Sequence, residues 1–110
     1  MRLFILLTFF LMCFPLISVA GSAAPGPLSD VYVMSNGKAI IYTTGSRSSP
    51  PACATQVPRF AIDATTPTGK AQLATLLTAF ASGKTVEFSG TGTCGNWGDT
   101  ESVDYLRVLP

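Results

Sequence analysis

The residues with most capacity for chemistry gather near the C-terminal end, where Asp99, Glu101 and Asp104 follow the run Gly90-Thr91-Gly92-Thr93-Cys94-Gly95-Asn96-Trp97-Gly98. Neighbouring carboxylates can divide acid and base roles when their surroundings separate their proton affinities. An enzyme acting through Asp99, Glu101 and Asp104 is therefore one reading, although acidic residues in and beside a loop ordinarily serve as solvated caps and turn formers. The spaced glycines suggest a phosphate loop, but a phosphate cradle needs a helix N-terminus directly behind it, and here a strand pattern follows. A bulge or tight turn accounts better for them. The chain contains no histidine, which removes the commonest general base and metal ligand and with them zinc, haem and His-dependent triads. No catalytic residue, metal ligand or cofactor is expected. What remains is a recognition surface: Trp97, the only tryptophan, could stack on a sugar ring between Asn96 and Asp99, or could instead pack against a disulfide at Cys94. Asn96, Trp97 and Asp99 are the candidate ligand-binding residues, and Tyr32, Tyr42 and Tyr105 could add hydroxyls from separate strands.

The N-terminus says where this surface would be used. Met1-Arg2 opens a run from Leu3 to Val19 that carries no further charge, is interrupted by Pro15 and ends in the small residues of Ser18-Val19-Ala20 before Gly21. This is a signal-peptide layout, too short and too broken for a spanning helix. Cleavage is expected after Ala20, with Ala23 as the second candidate. The product would be secreted or periplasmic, with no membrane span after processing. Cys13 leaves with the leader, so Cys53 and Cys94 remain in an oxidising compartment and are expected to form one disulfide. Without the leader six basic residues face six acidic ones, and a neutral chain lacks the field that gathers nucleic acid or anionic lipid.

The elements that must position these residues read as follows. Residues 21–29, with two prolines and no apolar period, form a flexible lead-in, and one domain spans residues 30–110. Val31–Met34 and Ala39–Thr44 are β-branched and aromatic, with Asn36-Gly37 between them, which predicts a hairpin with a type I′ turn. Arg59–Asp63 predicts a third strand with Phe60 and Ile62 on its inner face. Leu73, Leu76, Leu77 and Phe80 recur at helical spacing, so a helix is expected from about Gly69 to Ser82, capped by Thr66 or Thr68, burying that stripe and ending at Gly83. Thr85–Ser89 and Ser102–Val108 predict a fourth and a fifth strand. The expected fold is mostly β with one helix: a five-stranded OB-fold-like barrel, order β-β-β-α-β-β, with one disulfide. A small α+β sheet with the helix on one face would share that order.

Phe60-Ala61-Ile62-Asp63, Gly69-Lys70, the run from Leu73 through Ala81-Ser82-Gly83-Lys84-Thr85-Val86, and Gly90-Thr91-Gly92-Thr93-Cys94 together resemble small exported bacterial proteins similar to the B subunit of subtilase cytotoxin. The likeness covers roughly residues 53–108. It implies an OB-fold of bacterial-enterotoxin type, a homo-oligomer that would be pentameric if toxin-like, a glycan ligand and a separate A-type subunit as partner. None of that family's sugar-binding residues is carried onto a position here. The expected function is thus an exported non-catalytic binding module for a glycan or a partner protein. The alternative is a small enzyme inhibitor, or an enzyme using the acidic cluster.

Overall fold

The computed structural model describes residues 19–110, and the expected leader therefore lies almost wholly outside the described residues. Seven strands and one helix follow in the order β1 (Ser22–Gly26), β2 (Leu28–Val33), β3 (Lys38–Thr43), β4 (Arg47–Ser48), β5 (Arg59–Asp63), α1 (Pro67–Ala81), β6 (Thr85–Gly90) and β7 (Glu101–Leu109). They form one mostly antiparallel sheet, ordered β2-β3-β5-β7-β6-β1-β4, in which β5 and β7 alone run parallel. Five strands, with three before the helix, were expected; the structure has seven, with five before it.

The two additional strands come from segments whose sequence shows no strand pattern. The stretch read as a flexible lead-in is β1, which pairs with β6 and with β4, the latter inside the loop that follows the hairpin. Only Pro27 separates β1 from β2, yet β2 lies at one end of the strand order and β1 next to the other, so the sheet curls into a half-barrel that brings its two sides to one bend. Gly26 and Gly45 face each other at that bend, and a side-chain carbon on Gly26 would fall 2.6 Å from the Gly45 nitrogen. Only two glycines let the backbones approach this closely.

The Asn36-Gly37 hairpin forms between β2 and β3, with Val33 opposite Ala39 and Tyr32 opposite Ile40, one residue off the register that a two-residue turn at Asn36-Gly37 would set. Its turn differs. The Gly37 N–H donates to the Met34 carbonyl at 3.0 Å and Gly37 has φ +83°, while Asn36 stays out of the left-handed region. This is a three-residue loop ended by a left-handed glycine rather than a type I′ turn. Asn36 contributes instead through its Oδ1, which accepts the Lys38 N–H at 3.1 Å.

Helix α1 starts on the Thr66 cap, whose hydroxyl accepts the Gly69 N–H, and Pro67 occupies its first turn, where no N–H partner is needed. Gly83, at φ +67°, ends it as expected. The buried face is a correction: Gly69, Leu76 and Ala79 point inward with Leu73 partly buried, whereas Leu77 and Phe80 are more than 40% exposed. A side chain on Gly69 would strike the Asp63 carbonyl, so the helix lies almost against the end of β5. That approach turns its small residues to the sheet and leaves half of the leucine stripe outside. The core beneath is Phe60 stacked on Phe88 at 4.8 Å, surrounded by Ile41, Ile62, Val86 and Val103.

Candidate functional site

Loops gather at the end of the sheet where β5, β6 and β7 meet. The segment after β4 and the Gly-rich segment after β6 are joined by the expected Cys53–Cys94 disulfide, with Cα atoms 6.1 Å apart. This bridge holds in register two loops that contribute few backbone pairs of their own.

Beneath it is a buried ionic cluster. Glu101 is fully buried at the start of β7, with Oε1 accepting from Arg47 Nη2 at 2.5 Å and Oε2 accepting the N–H groups of Gly21 at 2.8 Å and Gly92 at 2.9 Å. Arg47 also lies 4.1 Å above the Phe60 ring and donates to the carbonyls of Ser22 and Val57. Burial pulls the Arg47 guanidinium below its ordinary value, and the adjacent Glu101 carboxylate only partly offsets this. Gly21 and Gly90 make the room: a Cβ on either would fall 2.4 Å or less from a Glu101 oxygen.

A second, more open cluster lies at the surface. Arg59, the first residue of β5, donates from Nε to Thr100 Oγ1 at 2.7 Å, from Nη1 to the Tyr42 hydroxyl at 3.3 Å and from Nη2 to Asp99 Oδ1 at 2.7 Å. Three of its five N–H groups are thus engaged. Burial acts to lower the Arg59 pKa, but the bonds to Tyr42 and Asp99 outweigh it and raise the value. The same bond from Arg59, with one from Thr100, holds the Asp99 carboxyl below the usual carboxylate range. The Tyr42 ring continues the cluster to Tyr32, edge-to-face at 5.8 Å, and Tyr32 is half exposed.

The expected site residues border this second cluster. A tight turn from Trp97 to Thr100, closed by a 2.9 Å backbone hydrogen bond, delivers Asp99 to Arg59. Asn96 and Trp97 are half-buried. Among the described residues neither side chain donates or accepts a hydrogen bond, yet none of their buried side-chain polar atoms lacks a partner. The Asn96 amide and the Trp97 indole N–H therefore open to solvent. Tyr32 and Tyr42 come together here; Tyr105 instead lines a separate depression with Ala24, Pro25 and Ser89. The acidic trio does not act as a unit: Asp99 is bonded to Arg59, Glu101 is buried against Arg47, and Asp104 is exposed, its backbone carbonyl accepting from Gln72. No group of three metal-ligating side chains occurs among the described residues.

Sequence reasoning missed Arg59 and Arg47, the two cations that organise both clusters. A signal was present in Arg59, since a cation opening a strand as apolar as Phe60-Ala61-Ile62 needs a partner at the sheet edge. Beside the disulfide, Ser49, Pro50, Pro51, Ala52, Cys53, Gly92 and Val19 line an open depression of about 510 Å³. No helix among the described residues is long and apolar enough to cross a membrane. Neither a family model, a curated protein nor a solved structure matches the chain.

Proposed function

We propose that this is an exported, non-catalytic recognition domain of OB-fold type that binds a glycan through the Tyr32–Tyr42–Arg59–Asp99 surface and the adjoining Asn96–Trp97 turn. The observation that carries it is Arg59: three bonds hold it still beside the half-buried Tyr42 and the half-exposed Tyr32, and three of its five N–H groups are used in doing so. Fixed donors beside an aromatic face suit a sugar, whose hydroxyls need partners and whose C–H faces pack on rings. The barrel reading takes β1 and β2 as halves of one bent first strand, with β3, β5, β6 and β7 as the second to fifth and the parallel β5–β7 pair as the closure.

A homo-oligomer, as in pentameric toxin B subunits, belongs to the same proposal and is supported by Leu77 and Phe80, which present apolar surface on α1. Repetition of a weak sugar site would raise avidity. An A-type subunit would be the corresponding partner. The test is a glycan array probed with the processed protein, followed by Tyr32→Ala and Trp97→Ala. Tyr32→Ala is expected to abolish binding with an unchanged melting temperature, and Trp97→Ala to weaken binding in a protein that still folds. The absence of any glycan ligand, or full binding by Tyr32→Ala, would reject the proposal.

A further inference from the structure

We propose that Gly21 is the N-terminal residue of the working protein and that its α-ammonium group becomes the third member of the buried Arg47–Glu101 cluster, so that removal of the leader completes the charged part of the core. The Gly21 nitrogen already lies 2.8 Å from Glu101 Oε2, while Oε1 is taken by Arg47. From the other side Gly21 is fixed by its carbonyl, which accepts the Gly90 N–H at 2.8 Å. Any Cβ at position 21 would fall 2.4 Å from Glu101 Oε1, 2.9 Å from Arg47 Nη2 and 3.0 Å from the Ser49 carbonyl oxygen, so any other residue would have to push the paired side chains aside. Val19 and Ala20 are exposed, and the chain leaves this cradle straight into solvent. The small-x-small pattern of Ser18-Val19-Ala20 selects the Ala20–Gly21 bond from sequence, and the Glu101 contact supplies the acceptor for the nitrogen that this cleavage would release.

Hydrolysis of that bond by an export-pathway endopeptidase consumes one water. Ala20 keeps the new carboxylate and departs with the leader; Gly21 keeps the nitrogen, which takes up a proton and becomes –NH3+. Where the peptide offered one donor the ammonium offers three, and it carries a charge that the carboxylate favours. The charged groups facing it are Glu101 from β7 and Arg47 from β4, while β6 contributes the backbone of Gly90. Arg47 repels the ammonium, and burial, which lowers the Arg47 pKa, opposes its charge as well; loss of Val19 and Ala20 uncovers the nitrogen on its solvent side, which leaves the direct bond to Oε2 as the deciding contribution.

The test expresses the full chain in a bacterium, recovers the exported product, and combines intact mass with an NMR pH titration of the N-terminal glycine. A chain starting at Gly21 is expected, with an α-amine that titrates above the ordinary value of about 8. A pKa raised on folding adds stability that is complete below the unfolded value and is lost as pH rises through the folded one, so the urea midpoint is expected to fall on the alkaline side. A product starting elsewhere, such as Ala24, or a Gly21 amine that titrates at or below the ordinary value, would overturn the proposal. Both readouts use the wild-type sequence and hold even if Glu101→Gln fails to fold; where that variant folds, its amine is expected to return to the ordinary range.

Discussion

Replacing Glu101 with glutamine keeps the shape of the side chain and removes its charge. Three hydrogen bonds converge on this carboxylate, from Arg47 Nη2, the Gly21 N–H and the Gly92 N–H, and all of them are donors. A glutamine amide brings one acceptor and one further donor, so either Arg47 or the two backbone groups would meet an N–H with an N–H. Arg47, whose side chain is only 6% exposed, would be left as a buried cation without its counter-ion. Breaking a buried pair in this way costs about 3–5 kcal/mol, which at a urea m-value of about 1.5 kcal/mol/M moves the midpoint by about 2–3 M. Equilibrium unfolding followed by Trp97 fluorescence reads this directly. Arg47→Met with Glu101→Leu removes both charges but takes the acceptor away from the Gly21 nitrogen, so it is expected to recover only part of the loss. A Glu101→Gln midpoint within about 0.3 M of wild type would refute the argument, because the pair would then be contributing no more than an exposed one.

Three further outcomes are expected. Leu76→Ala should cost about 2–5 kcal/mol and Leu77→Ala under about 1 kcal/mol in urea unfolding, and equal losses would mean that the buried face of α1 is misassigned. Preventing the disulfide with Cys94→Ser should lower stability by about 4 kcal/mol through the freed loop, and an unchanged melting temperature would contradict the structural role of the bridge. Because Arg59 and Thr100 depress the Asp99 pKa, its contribution is complete above about pH 4 and fades as pH falls through the folded value. Asp99→Asn should therefore be less stable than wild type at about pH 7, by a margin that shrinks as the pH is lowered below about 4; a difference that stays constant with pH would show that charge is not involved.

The legible parts of this fold were those with a local signal. Asn36-Gly37 between β-branched runs marked the hairpin, Arg59–Asp63 was found to the residue, and Gly83 stopped the helix where expected. Strand β1 escaped because Ser22-Ala23-Ala24-Pro25-Gly26 has no strand propensity; it is in the sheet because its backbone completes the edges of β6 and β4. The helix face was misjudged for a different reason. Hydrophobicity favoured Leu77 and Phe80, but close packing against β5 selected small residues, Gly69 and Ala79, for the interface. The stretch from Gly90 to Asp99 was legible as a loop, and the cation it meets was not. Arg59 meets Asp99 across 40 positions of sequence, and no local pattern encodes that. Glu101 looked like a surface acid because Thr100, Glu101, Ser102 and Val103 are all buried, so the period of two that separates faces is missing.

The parallel pairing of β5 with β7 has a consequence for how the chain assembles. Phe60 meets Glu101 and Ala61 meets Ser102 across 41 residues of intervening chain, the same separation as that of Cys53 from Cys94. Parallel strands cannot be joined by a tight turn, so this contact must be found by loop search, among the slowest steps open to a small domain. Closing the disulfide is itself a search over that same separation, but once it has formed Phe60 and Glu101 stay tethered, each seven residues from a bridge end. An oxidised chain that opens locally therefore keeps the two strands within reach of each other, whereas a reduced one that loses the pairing must find it again by diffusion.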